Sequence, residues 1–253
     1  MKIKIRSKTI KGRFIYGDLL ENKKADSLAV FLSGLSGGKE SPLLKEASKF
    51  FYENGFSTLR LNFCNDNDDK KQLAQAIKPE EMKFSVYTGE LKNILDTLGK
   101  KYSRLVLVGH SFGAVIFVSF LSKYKKYLKR AKLVLWEPSL LPWKRKWMEE
   151  DFNFDKSDNL YRAKRSGELI NKTFYNELIN AKNTAEIFRS LNKEAVIIAT
   201  TKIGRRHARK YFSKIRDKKT LKLAFIAGAG HSFGKKKHQA ELFNKTLRFL
   251  KKR

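Results

Sequence analysis

Five residues, Gly109-His110-Ser111-Phe112-Gly113, constrain the fold of this chain more than any other stretch. Residues 104–108 before them form an apolar run of the kind that suits a strand buried on both faces, and residues 114–121 after them an apolar helix. The chain must therefore turn sharply between strand and helix. Such a turn needs glycine on both sides of the serine, because a β-carbon at either place would collide with the neighbouring strand or helix. The serine hydroxyl is then raised above the strand edge, where the first N–H groups of a helix lack intrahelical partners and its positive dipole end points outward.

The same five residues recur at 230–234, but there Lys235, Lys236 and Lys237 follow, which suits an exposed helix start. Ser111 is therefore the candidate nucleophile and Ser232 is incidental. A serine hydroxyl attacks poorly until a base takes its proton, and in a strand–turn–helix setting that base comes late in the chain. His231 is so placed, after the apolar residues 221–227 and the pliant Ala227-Gly228-Ala229-Gly230. His110 fills the variable position of the turn, while His207 and His238 lie among Lys and Arg on faces that read as solvated, so all three read as structural or exposed. The glycine-rich Ser33-Gly34-Leu35-Ser36-Gly37-Gly38 follows an early apolar run and can present backbone donors to an oxyanion. The N–H groups of Leu35 and Phe112 are the candidate pair. Neither of the glycine patterns that cradle phosphates is present.

Apolar strand-like runs at 28–33, 58–63, 104–108, 132–136, 195–200 and 221–227 alternate with amphipathic patterns near 42–53, 79–98, 111–124, 205–214 and 236–250. That alternation predicts an α/β fold with a doubly wound, mostly parallel sheet. Residues 3–6 and 13–16 flank Lys11-Gly12 and predict an antiparallel hairpin at one edge. Residues 139–192 exceed a usual crossover and predict a small helical cap inserted into a single domain spanning 1–253. Its Trp143, Trp147, Phe152, Phe154 and Tyr161 either line an apolar pocket or anchor the cap.

The chain has 253 residues, with 55 Lys and Arg against 25 Asp and Glu, a formal charge of +30. With 42% hydrophobic residues it can still bury a core, which excludes a disordered polyelectrolyte. The basic runs are scattered along the chain rather than grouped with aromatics, so they read as a solvated shell and no specific nucleic-acid partner is expected. No apolar stretch approaches the ~18 residues of a membrane span, and the N-terminus lacks a signal-peptide core, so a cytoplasmic location is expected. The single cysteine, Cys64, reads as a small buried side chain, and no metal or cofactor is expected.

The glycine turn at 33–38, the Ser111 turn and Ala227-Gly228-Ala229-Gly230-His231-Ser232-Phe233 resemble the α/β-hydrolase superfamily, more narrowly its small intracellular serine esterases and acyl-peptidase-like members. The resemblance implies a serine hydrolase acting on a small-molecule ester, or a thioester or amide, with Ser111 as nucleophile, His231 as base, and Leu35 and Phe112 as oxyanion donors. It also implies an Asp or Glu after the strand at 195–200. This sequence departs from that: Thr201-Lys202-Ile203-Gly204-Arg205-Arg206-His207 carries no carboxylate, and the expected aspartate falls near Ile203 or Gly204. Glu137, ending the strand at 132–136, is the substitute, with Asp155 and Asp158 behind it. Without any acid, the alternative is a catalytically impaired protein with a binding role. The basic residues in that loop suggest an anionic substrate.

Overall fold

The fold was established from a computed structural model that describes residues 1–35, 37–63, 74–215 and 217–251. Cys64 lies outside the described residues. The opening residues form the hairpin their alternation predicts. Strand β1 (Lys2–Arg6) pairs antiparallel with β2 (Phe14–Leu20), and in the turn between them Gly12 takes φ +79°, a conformation open to glycine without penalty.

The apolar runs become β3 (Ser27–Leu32), β4 (Ser57–Asn62), β5 (Arg104–His110), β6 (Ala131–Trp136), β10 (Ala195–Ala199) and β11 (Leu221–Phe225). Together with the hairpin they form one eight-stranded sheet in the order β1-β2-β4-β3-β5-β6-β10-β11. All neighbours from β4 to β11 pair in parallel, and β2 runs against β1 and β4.

Side chains alternate across the sheet into two cores. Leu28, Val30 and Leu32 pack with helices α2 (Phe84–Thr97), α3 (Phe112–Lys123) and α7 (Lys202–Lys214). Ala29 and Phe31 pack with α1 (Pro42–Glu53) and α8 (Lys236–Lys251) on the other face. Helix α3 is apolar around its whole circumference, and every residue from 112 to 118 is buried. Each Leu or Phe sequestered there contributes about 1.5–3 kcal/mol, so the helix that begins at the serine turn is anchored firmly under the sheet. Among the described residues, no helix is long and apolar enough to cross a membrane.

Two expectations need correction. The segment 139–192 does supply helices, α4 (Arg145–Asp151), α5 (Lys172–Asn180) and α6 (Thr184–Leu191), yet it also forms a three-stranded antiparallel sheet from β7 (Phe152–Asp155), β8 (Leu160–Ala163) and β9 (Leu169–Asn171). A tight turn explains it: Asp155 accepts hydrogen bonds from Ser157 N–H and Oγ–H, and Asn159 takes φ +59°. Helix α7 starts at Lys202 instead of 205, because the Thr201 side chain accepts the Gly204 N–H at 2.9 Å and caps it. The stretch read as a loop is a helix start.

The steric demand on the serine turn is visible in the packing. A β-carbon on Gly113 would lie 2.5 Å from the Leu32 carbonyl oxygen, and one on Gly109 would lie 2.5 Å from the Ala114 nitrogen. Gly113→Ala is expected to destabilise the fold by about 3 kcal/mol, the upper range for overpacking, read as a lowered urea midpoint. Gly234→Ala, where a β-carbon meets nothing within 4 Å, should leave the midpoint close to that of the parent. Equal midpoints for the two variants would remove the steric argument for the turn.

Candidate active site

Ser111 sits between β5 and α3 with φ +53° and ψ −114°, a conformation that costs an L-residue about 1–3 kcal/mol and persists only where surrounding structure enforces it. The enforcement is local. Its N–H donates to the Trp136 carbonyl at 2.9 Å, and its own carbonyl accepts the N–H groups of Ala114 and Ser139. The recurrence at 230–234 lacks this setting, since β-carbons on Gly230 and Gly234 would stand in open space. Ser232 nevertheless lines the same cavity.

That cavity, of about 1040 Å³, opens at the carboxyl edge of the parallel strands and is walled by Ser111, His231, Leu35 and Ser139 among others. Phe112 is buried at the head of α3, where its N–H is among those without an intrahelical partner. The glycine turn approaches the serine closely: a β-carbon on Gly34 would lie 3.3 Å from that of Ser111. Trp143, Trp147 and Phe152 also line the cavity. Phe154 is exposed and Tyr161 stacks on Tyr175 at 4.1 Å between ring centres, so those two belong to the small sheet.

Among the described residues, the hydrogen bond of Ser111 Oγ goes to Ser139 Oγ at 3.3 Å and not to His231. His231 is fixed through its backbone, whose carbonyl accepts the Nε2–H of His110 at 2.9 Å, with the two rings 4.9 Å apart. Burial pushes His110 down to about 4, helped by the neighbouring His231, so its ring is neutral at physiological pH. Although His231 is exposed at the mouth of the cavity, burial of its ring lowers its pKa, while the Glu137 carboxylate acts in the opposite direction.

Glu137 is 2% exposed and holds φ +45°, a second strained residue one position beyond β6. Its carboxylate accepts the N–H groups of Thr200 at 2.6 Å and Thr201 at 2.9 Å, together with the Thr201 hydroxyl. It thus occupies the N-terminus of α7. A β-carbon on Gly204 would fall 2.2 Å from Glu137 Oε1 and 2.4 Å from Oε2, so the carboxylate fills the space that any side chain at 204 would claim. No hydrogen bond between Glu137 and His231 forms among the described residues. Asp155 and Asp158 are engaged within the turn between β7 and β8 and do not line the cavity.

Sequence reasoning missed three participants. Ser139 carries no signal of its own. Gly204 gave one, because it stands where the aspartate was expected, but its meaning depends on what fills the space. His207 reads as solvated on its helix; instead it is half-buried, lines the cavity and donates from Nδ1 to the Pro138 carbonyl at 3.2 Å. His238, read the same way, is buried at 6% exposure in α8.

No family model matches the sequence, and no curated protein matches it. Solved structures do. Est1E from Butyrivibrio proteoclasticus with ferulic acid bound superposes with a TM-score of 0.77 at 14% identity, covering 99% of this chain and 100% of that one. The alpha/beta hydrolase GrgF from Penicillium sp. sh18 gives 0.74 at 13% identity, covering 99% and 97%. A dienelactone hydrolase from Anabaena variabilis gives 0.65 at 10% identity, covering 99% and 95%. At such identities what is shared is the arrangement of the chain.

Proposed function

Because the chain has the α/β-hydrolase fold, we propose that it is a serine hydrolase cleaving a carboxylic ester through an acyl-enzyme on Ser111. The observation that carries this reading is the strained Ser111 on its tight turn, facing the same cavity as His231. In the first half-reaction Ser111 Oγ attacks the ester carbonyl carbon as His231 takes the hydroxyl proton. The tetrahedral oxyanion is met by the N–H groups of Leu35 and Phe112, donors of a kind worth about 3–4 kcal/mol each to the transition state. Collapse expels the alcohol, which takes the proton from the imidazolium. Water, activated by the same imidazole, then releases the acid.

Glu137 is assigned as the acid that orients His231 and stabilises its protonated form, a role consistent with its effect on the His231 pKa. The serine–imidazole bond would form when substrate displaces Ser111 from Ser139, as catalytic hydrogen bonds often tighten only in the complex. Residues 139–192 act as a cap, with Trp143, Trp147 and Phe152 supplying an apolar wall.

A second reading, a protein that binds in this cavity without turnover, is favoured by one observation, the pairing of Ser111 with Ser139 instead of His231. A fluorophosphonate probe separates the two. Labelling of the wild type supports the hydrolase; a folded protein that stays unlabelled supports the binding protein.

The pH dependence carries a sign. The base must be neutral, and burial lowers the His231 pKa below 6.5, so kcat/KM should hold down to below pH 6.5 and then fall with acid. In Glu137→Gln the opposing carboxylate is gone, and whatever turnover remains should have its acid limb at still lower pH. An acid limb above 7 in the wild type would contradict His231 as the base.

A further inference from the structure

The wall of the cavity has two chemistries. Leu140, Trp143, Trp147 and Phe152 make one side apolar, while Lys144, Arg165, Arg206 and Lys210 bring four cations to it. Among the described residues the only acidic side chain in the lining is Asp151, and its carboxylate lies 3.7 Å from Arg165. Lys144, Arg206 and Lys210 make no ion pair among the described residues, whereas many of the other surface lysines, such as Lys92, Lys101 and Lys126, are matched to carboxylates.

The α7 cations are placed by helix geometry. Ile203, Arg206, His207 and Lys210 follow the i, i+3, i+4, i+7 pattern, so one face of the helix looks into the cavity. Arg206 and Lys210 are close enough to His207 that their charges help lower its pKa, after the larger effect of burial. His207 in turn bonds the Pro138 carbonyl next to Glu137. The two cations therefore stand on the helix whose first turn holds the proposed acid, at the rim of the proposed catalytic centre. They also flank a groove outside it, lined with Lys202 and Arg209, so positive charge extends outward from the mouth.

Resting on the hydrolase reading above, we propose that the preferred substrate is a carboxylic ester whose apolar body ends in an anionic group such as a carboxylate, which Arg206 and Lys210 receive at the cavity rim. A planar guanidinium and a flexible ammonium side by side suit a carboxylate, the first by paired N–H donors and the second as a point charge. The apolar wall takes the body of the same molecule.

The test uses two matched substrate pairs. 4-Nitrophenyl hexanoate and mono-4-nitrophenyl adipate differ at the far end of the acyl chain, methyl against carboxylate. 3-(4-Acetoxyphenyl)propanamide and 3-(4-acetoxyphenyl)propanoate differ in the same sense on the alcohol side. The anionic member of at least one pair should have a kcat/KM about tenfold higher, mostly through a lower KM, and the ratio should shrink between about 0.02 M and about 0.5 M salt.

In the double variant R206Q/K210Q that ratio should fall to about one. The control K23Q/K24Q removes the same charge from the loop between β2 and β3, at the opposite edge of the sheet, and should keep the ratio, which separates a local contact from the field of a +30 chain. Hydrolysis of both members of both pairs without preference, or a preference that survives R206Q/K210Q, overturns the proposal and leaves the ester hydrolase standing. If no ester in either pair is hydrolysed, the hydrolase reading itself fails and the substrate class falls with it.

Discussion

Replacing Ser111 with alanine is expected to leave a folded protein that no longer reacts with a fluorophosphonate and loses ester turnover on the order of 10⁶-fold, the scale seen when a catalytic serine is removed. The fold should survive because alanine keeps the β-carbon, so the backbone at φ +53° is no more strained than before. Among the described residues the one side-chain bond lost is the 3.3 Å contact with Ser139, which is long for a hydroxyl pair. Ser232→Ala is the informative contrast. Ser232 lines the same cavity and sits in an identical five-residue string, yet its glycines are under no steric pressure, and the positive φ of that string, +51°, falls on Phe233 and not on the serine. Turnover in that variant should stay near the wild-type value. Labelling that persists in Ser111→Ala and vanishes in Ser232→Ala would reverse the assignment.

The second large effect concerns the acid. Glu137→Gln should lower kcat/KM by about 10⁴-fold, as when the acid of a triad is made neutral and the histidine loses its tautomer and orientation. A structural cost accompanies it. The remaining carbonyl oxygen can accept only one of the Thr200 and Thr201 N–H groups while the glutamine NH₂ faces the other, donor against donor, and an unsatisfied buried group costs about 1–3 kcal/mol.

Gly204→Ala tests the same carboxylate without changing its chemistry. A β-carbon 2.2 Å from Oε1 cannot coexist with the present position of Glu137, so the carboxylate must leave the head of α7. Turnover should then fall towards that of Glu137→Gln. Measured together with thermal unfolding, the pair is decisive: if both variants lose stability but keep turnover, Glu137 is only the anion that caps α7, and the catalytic acid lies elsewhere or does not exist.

Much of the architecture was legible because it follows from local rules. The six apolar runs have the continuous character of strands covered on both faces, and all six are strands of the sheet. Glycine at 109 and 113 is dictated by collisions with atoms a few residues away or on the adjoining strand. The small sheet of β7, β8 and β9 was less legible, since its strands have three or four residues and depend on the turn at 155–159 to pair. His207 and His238 were misread for a related reason. Charged sequence neighbours describe the helix face on which those neighbours lie, not the face turned inward.

The sequence by itself determined the tight glycine-flanked serine turn, the late histidine and the absence of a carboxylate at 201–207, because each is a matter of residue type at a position. Only the tertiary structure decided which carboxylate reaches that stretch. Glu137 and Gly204 lie on different elements, and nothing in either one's neighbourhood along the chain indicates that they meet. They meet because β6 and β10 are adjacent in the sheet, and because the one residue type without a side chain leaves the volume that the glutamate fills. The same packing turns one face of α7 into the cavity, so that Arg206 and Lys210, indistinguishable in the sequence from the rest of a basic surface, come to stand at its rim.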